Sequence, residues 1–138
     1  MVTGIDIARE AEKLVGSRWR THGRGPGLDC AGLVVMSMRN AGLTVDDNTN
    51  YDIKSPPKDM MMGIATKNGT LYGPERRDPG MVFLMIPPGF LSVSHMGIIS
   101  ADGRAIHMDI QRREVVTDTS SWLERNCFLT VELNGLSK

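Results

Sequence analysis

The order of helix-like and strand-like patterns along the chain constrains its fold most. Before residue 78, apolar residues recur at helical spacing, whereas after it they form short runs separated by turn residues. Helices followed by antiparallel strands predict an α+β domain, not alternating strand–helix units. A chain of 138 residues is expected to form one domain, residues 1–138, with a core that needs no disulfide staples.

Three helices are expected in the first half of the chain. The first should end at Gly16, and Asp29 is a good N-cap for a second helix over residues 30–41, stopped by Gly42. A third, shorter helix is expected over residues 57–67. The apolar stripe of the first helix consists of Ile7, Ala8, Ala11, Leu14 and Val15.

The second half of the chain predicts a small antiparallel sheet. Its apolar runs are short and bounded by Pro, Gly and Asp, as is typical of strands joined by tight turns. The predicted strands span residues 81–86, 94–100, 104–110, 114–116 and 128–133.

Cys30 stands at the start of the second predicted helix, directly after a glycine-rich loop. A thiol in the first turn of a helix faces unpaired N–H groups and the positive end of the helix dipole. Both favour the nucleophilic thiolate, so we expect a lowered thiol pKa and cysteine-nucleophile chemistry. Ala31 and Gly32 are small enough to let a substrate backbone approach.

The turn at residues 101–103 decides whether His95 and His107 share a face of the sheet. A two-residue loop would place the two rings on opposite faces, whereas a three-residue loop with Gly103 in the left-handed conformation pairs Gly97 with His107. His95 then lies diagonally from His107, roughly 7–8 Å away at the backbone and within reach of its ring. We predict the three-residue loop, and we expect the sulfur and both imidazoles to meet in one groove.

Three motifs resemble those of the NlpC/P60 cysteine peptidases, and they occur in the same order. They are Asp-Cys-Ala-Gly-Leu-Val at residues 29–34, Ser-His-Met-Gly-Ile at 94–98 and Ala-Ile-His at 105–107. The resemblance covers about residues 7–133 and is strongest to the phage tail-associated cell-wall peptidases. It implies a papain-like fold, with the nucleophile helix packed on a small antiparallel sheet. It also implies hydrolysis of amide bonds in peptidoglycan stem peptides, commonly between D-glutamate and a diamino acid, without a metal or organic cofactor.

The resemblance and the chemistry together assign roles to three residues. Cys30 attacks the scissile carbonyl, and His95 takes its proton and later protonates the leaving amine. His107 orients the ring of His95, as Asp or Asn does in other triads. The backbone N–H of Cys30 and a donor from the preceding loop would hold the oxyanion. Asp29 is interpreted as a structural cap, not as a catalytic acid.

Four further residues are candidates for substrate binding. Trp19 stands where relatives often carry a tyrosine that helps bind the substrate carbonyl, and its indole N–H can still donate. Arg20, like its neighbours in a basic loop, could bind the carboxylates of a stem peptide, although a solvated loop explains these charges equally well. His22 and Gly97 are the other two candidates for substrate binding. The other loop arginines are Arg18 and Arg24.

Net charge and apolar content bear on which partners the chain is expected to bind. Sixteen basic and sixteen acidic residues cancel, which gives no reason to expect binding to nucleic acid or to an anionic membrane. The N-terminus has no signal-peptide pattern, and no apolar run is long enough to cross a bilayer. The resemblance to the phage tail-associated peptidases therefore implies delivery with a virion tail, among phage tail-tip proteins, or residence in the host cytoplasm until assembly or lysis. Cys30 and Cys127 are expected to be free thiols.

Other functions are compatible with the same residues. Cys30, His95 and His107 are acceptable zinc ligands, although their spacing matches no common zinc motif. A phage tail structural or assembly protein could keep the fold without turnover. An acyltransferase or an amidase acting on another substrate could use the same three side chains.

Overall fold

The computed structural model describes residues 1–52 and 60–137. Three helices come first and the strands follow, with one short helix before the last strand. This is the α+β arrangement predicted from the sequence. The helices are α1 (Gly4–Lys13), α2 (Cys30–Ala41), α3 (Met60–Asn68) and α4 (Ser120–Asn126). The strands are β1 (Gly69–Tyr72), β2 (Val82–Met85), β3 (His95–Ile99), β4 (Ala105–Asp109), β5 (Glu114–Asp118) and β6 (Leu129–Leu133).

The strands form one six-stranded sheet in the order β1-β6-β2-β3-β4-β5, and every pair is antiparallel. Helix α2 packs against β3 and β4, and α1 packs against α2. The short helix α4 contacts β4. The main core, which includes Cys30, is formed by α1–α3 with one face of the sheet, and a smaller cluster around Phe83 and Leu123 lies beside α4.

The ends of α2 follow from the residues that flank it. The side chain of Asp29 accepts a hydrogen bond from the N–H of Gly32 at 2.7 Å, which satisfies a donor that the first turn would leave unpaired. Gly42 takes a left-handed conformation with φ of 103° and ends the helix, as predicted. Helix α1 begins at a capping box between Thr3 and Asp6. Val15 lies beyond the end of α1 and is 44% exposed, so its predicted place in the apolar stripe is wrong.

The hairpin between β3 and β4 has the three-residue loop that the sequence predicted. The N–H of Ser100 donates to the carbonyl of Arg104 at 2.8 Å, and Gly103 has φ of 83°. Gly97 is therefore paired with His107. This register puts His95 and His107 on the same face of the sheet, because side chains alternate along a strand.

Two elements were not expected from the sequence. Residues Gly69–Tyr72 form the edge strand β1 directly after α3, and Ser120–Asn126 form α4 between β5 and β6. The third predicted helix, over residues 57–67, is found as Met60–Asn68, and its residues 57–59 lie outside the described part of the chain. Within that part, none of the helices combines the length and apolar character needed to cross a membrane.

The position of Gly32 requires a glycine, but not for the reason that the sequence suggested. A Cβ atom at this position would lie 2.0 Å from the carbonyl oxygen of Gly23, in the loop that precedes α2. The space beside Gly32 is therefore filled by the protein's own backbone and not left for a substrate. This close approach packs the loop against the first turn of α2, where Cys30 lies.

We expect Gly32→Ala to lower the free energy of unfolding by about 2 kcal/mol or more, because the loop must move away from α2. Gly63→Ala is the matched control, since its Cβ would meet nothing within 4 Å in α3. That change should stabilise by about 0.5–1 kcal/mol. Urea denaturation of both variants measures the difference. Equal effects of the two substitutions would contradict the packing of this loop.

Candidate active site

A pair of buried imidazoles forms the polar centre of the sheet. His95 Nε2 and His107 Nδ1 are 2.8 Å apart, which is hydrogen-bond distance, and the two ring planes lie at 81°. His95 is 7% exposed and His107 is 6% exposed. The sequence predicted this pairing from the hairpin register alone.

A carboxylate that the sequence analysis missed extends the pair. His107 Nε2 lies 2.6 Å from Asp118 Oδ2, and the carboxylate is partly exposed. Asp118 is the last residue of β5 and pairs with Ala105, so it lies diagonally from His107 on the same face of the sheet. Three side chains from three adjacent strands therefore form one hydrogen-bonded line, His95–His107–Asp118. The period-2 alternation along β5 could have indicated Asp118, had that strand been extended past residue 116.

Two aromatic rings pack against His107, the middle residue of this line. Trp122 of α4 stacks on His107, with centroids 4.4 Å apart and planes at 20°. Phe83 of β2 meets the same imidazole edge-on at 6.2 Å. The sequence analysis did not single out Trp122 because it did not predict α4.

Cys30 lies at the start of α2, beside the first residues of β3. Its sulfur is 4.0 Å from Met61 Sδ of α3, and the backbone N–H of Met96 faces the sulfur and favours the thiolate. Met96 directly follows His95, so the sulfur adjoins the peptide unit that joins these two residues. Cys30 is only 5% exposed, and no hydrogen bond joins it to His95 in the described parts of the chain.

The thiol and the two imidazoles belong to opposite faces of the sheet. Cys30 shares the main core with Met96 of β3, on the side of α2. His95 and His107 lie on the other face, where His107 contacts Trp122 of α4. The structure thus differs from the single groove expected for all three side chains. The sulfur adjoins the backbone of β3 where Met96 follows His95.

The lowered thiol pKa expected from the helix N-terminus is not found. Burial, with a smaller contribution from the nearby charge of Asp29, raises the pKa of the Cys30 thiol to about 12. The N–H groups of Ala31, Cys30 and Met96 act in the opposite direction but are outweighed. The helix dipole and backbone donors favour the thiolate, yet removal of the sulfur from water costs more.

The same burial keeps His95 neutral. Burial and, to a smaller extent, the neighbouring His107 lower the pKa of His95 to about 3, against the opposing charge of Asp109. At pH values between about 3 and about 12 the folded protein therefore holds the Cys30 thiol and the His95 imidazole in their neutral forms.

Asp29 is a structural cap, as predicted. Besides the N–H of Gly32, its Oδ1 accepts a hydrogen bond from Arg24 at 3.0 Å, and its Oδ2 accepts one from the Tyr51 hydroxyl. Arg24 also binds Asp47, with 2.8 Å between Nε and Oδ2. The carboxylates that Arg24 binds belong to the protein itself, so the structure matches neither of the alternatives considered for this arginine, substrate carboxylates or a solvated loop.

Three substrate-binding candidates lie in the loop before α2. Trp19 is half-buried against the core, and its backbone N–H donates to the carbonyl of Arg113. Arg20 is exposed. His22 has φ of 56° and contacts the carbonyl of Tyr51, whose ring it meets edge-on at 4.5 Å. Contact with substrate remains a prediction for Trp19, Arg20 and His22.

Gly97, the fourth candidate, has a packing role in the structure. It is buried between β2 and β4, where a Cβ would lie 2.4 Å from the carbonyl oxygen of Ile106 and 2.6 Å from the ring of Phe83. Its small size lets Phe83 reach His107, and its contact with substrate stays a prediction.

A groove of about 360 Å³ opens on the imidazole side of the sheet. Its lining includes His95, His107 and Asp118, and its apolar part includes Phe90 and Ile110, which are 55% and 63% exposed. The described lining does not include Cys30. A ligand in this groove would therefore meet the imidazoles from the side opposite the thiol.

The geometry does not bring together the three residues that the zinc alternative would need as ligands. The facing nitrogens of His95 and His107 hydrogen bond to each other, and Asp118 takes the remaining nitrogen of His107. Among residues 1–52 and 60–137, no group of three or more His, Cys, Asp or Glu side chains is placed to hold a metal ion.

Cys127 is a free thiol, as is Cys30, and both were expected to be free. Cys127 caps the C-terminal end of α4 and packs in the smaller cluster. Burial raises the pKa of its thiol.

Several solved structures that are similar to this chain are NlpC/P60 domains or proteins. The NlpC/p60 domain of the peptidoglycan hydrolase SagA has a TM-score of 0.67 at 21% identity, covering 96% of this chain and 100% of that one. NlpC1 from Trichomonas vaginalis has a TM-score of 0.69 at 17% identity, covering 94% of this chain and 43% of that one. An NlpC/P60 family protein from Bacillus cereus has a TM-score of 0.65 at 20% identity, with coverage of 92% and 39%.

These likenesses establish the fold, which is that of the NlpC/P60 domains. The chain spans the whole of the first structure and less than half of each of the other two. Neither a protein-family model nor a curated protein matches the sequence.

We expect iodoacetamide to modify Cys30 slowly in the folded protein at pH 7, at least about 100-fold more slowly than in the unfolded chain. The thiolate, which is the form that iodoacetamide modifies, is scarce because burial raises the thiol pKa. The rate of modification should increase as the pH approaches 12. Mass spectrometry of the peptide that contains Cys30 measures the rate at each pH. Cys127 serves as an internal reference, and rapid labelling of native Cys30 at pH 6 would contradict the neutral thiol.

Proposed function

We propose that this chain is a cysteine peptidase that hydrolyses amide bonds in peptidoglycan stem peptides. The observation that carries the proposal is the position of Cys30, at the head of α2 and beside the strand position where the line His95–His107–Asp118 begins. The NlpC/P60 fold supports the same reading, since one similar structure is a domain of a peptidoglycan hydrolase.

The proposed reaction begins from the neutral pair. Cys30 Sγ attacks the scissile carbonyl carbon while its proton moves to Nδ1 of His95, the ring nitrogen that does not face His107. The sulfur–carbon bond forms, and the carbonyl electrons move to the oxygen, which the N–H of Cys30 is placed to hold. His95 then gives the proton to the leaving amine as the carbon–nitrogen bond breaks. Water hydrolyses the resulting thioester and regenerates the thiol.

Substrate must displace a side chain to reach the sulfur. Met61 contacts Cys30 at 4.0 Å and leaves it 5% exposed. Methionine has three flexible side-chain bonds, so it can yield to a peptide at low cost. Attack also requires the thiol to turn from Met61 toward His95.

The finer features of the proposal come from the sequence resemblance. The bond cleaved would join D-glutamate to a diamino acid, and the partners would be phage tail-tip proteins. The protein would be carried in a virion tail or stay in the host cytoplasm until assembly or lysis. These features are part of the proposal and rest on the three motifs quoted above.

A second candidate function is favoured by one observation. The buried, neutral thiol of Cys30, with no hydrogen bond to His95 in the described structure, suits a tail structural protein that keeps the fold without turnover. The two functions differ in whether the purified protein cleaves peptidoglycan.

Digestion of purified peptidoglycan tests the proposal. The wild-type chain should release peptide fragments with new amino termini, and Cys30→Ala should lower their rate of release by at least about 10³-fold, because no other group replaces the nucleophile. Mass analysis of the fragments identifies the bond cleaved.

Cys127→Ala is the matched control, because it removes the second thiol, which lies at the end of α4 in the smaller cluster, and should leave the rate unchanged. The same fragments at the same rate from Cys30→Ala would refute the peptidase. Intact peptidoglycan after treatment with the wild-type chain would favour the structural protein.

A further inference from the structure

We propose that Asp118 is a positioning residue that acts through His107 to leave Nδ1 of His95 as an unprotonated base. The line of hydrogen-bond distances carries this inference, with 2.6 Å from Asp118 Oδ2 to His107 Nε2 and 2.8 Å from His107 Nδ1 to His95 Nε2. The effect on hydrolysis rests on the proposed function, whereas the protonation pattern exists without it.

The protonation pattern follows from what each group can donate and accept. An ionised carboxylate has only acceptors, so the proton between Asp118 and His107 is on Nε2 of the imidazole. A neutral imidazole has one N–H, which makes Nδ1 of His107 an acceptor. His95 Nε2 must then donate to it, and the second nitrogen of His95 keeps its lone pair. Where Asp118 is ionised and both imidazoles are neutral, each assignment follows from the preceding one.

The sheet and α4 keep the line in register. Asp118 reaches His107 because β5 pairs with β4 at Ala105. Trp122 stacks on the His107 ring, and Phe83 meets it from β2, so the ring plane is held while its two nitrogens face opposite partners.

The carboxylate also supplies charge that the two imidazoles lack. When His95 accepts the thiol proton it becomes a cation in a buried position, and neutral His107 can orient it but compensates the charge weakly. Asp118 places a negative charge at the far end of the same hydrogen-bonded line. Its side chain is 38% exposed, so water screens part of this effect.

Nitrogen NMR of the uniformly ¹⁵N-labelled chain tests the assignment. At about pH 8 carboxylates are ordinarily ionised and imidazoles neutral, and protonated and bare ring nitrogens have well-separated shifts. The wild type should show protonated Nε2 and bare Nδ1 on both His95 and His107. Asp118→Asn presents an amide that can donate as well as accept, so it should produce a mixture of tautomers. The same change should lower kcat for peptidoglycan cleavage about 10- to 100-fold.

Glu124→Gln is the matched control, because it removes an exposed negative charge from α4 and should alter neither the tautomers nor kcat. A bare Nε2 on His107 in the wild type would overturn the inference, and this result does not depend on any variant folding. The inference also fails if Asp118→Asn keeps both the tautomers and kcat of the wild type. The expected tautomers in a protein that cleaves no peptidoglycan would support the inference and refute only the proposed function.

Discussion

The hydrogen bond between His95 and His107 is the interaction on which the rest of the site depends. It exists because the turn at residues 101–103 has three residues and not two, which pairs Gly97 with His107. A shift of one residue would send one ring to the other face of the sheet. Gly97 contributes by leaving room for Phe83 to reach the His107 ring. The conformation of one small turn therefore decides whether the imidazoles can act together.

The second constraint is burial, which sets the protonation states of the groups that would react. Cys30 and His95 are both removed from water, so the folded protein favours the uncharged form of each. Such a site contains little thiolate at rest. Its reactivity would depend on an unprotonated base that is already oriented to accept the thiol proton. The line from Asp118 through His107 would provide that base. Burial of the thiol would limit its reaction with small reagents before substrate arrives.

The sequence predicted those features that neighbouring residues determine, and it failed where distant residues do. The cap at Asp29, the stop at Gly42 and the hairpin register all depend on a few adjacent residues, and all three were confirmed. The contact of Asp118 with His107 depends on how β5 pairs with β4, and the raised thiol pKa depends on the burial of Cys30, which Met61 of α3 contacts. Alternation along β5 can indicate the face on which Asp118 lies, but local patterns reveal neither this pairing nor that burial.

The central claim is that one imidazole donates directly to the other, and scalar coupling across the hydrogen bond measures this most directly. In ¹⁵N-labelled protein, the account predicts a resolved coupling between Nε2 of His95 and Nδ1 of His107, with the proton covalently bound to His95. It also predicts that the coupling disappears in His107→Ala. A spectrum of the folded wild type without this coupling, or with the proton on Nδ1 of His107, would contradict the account.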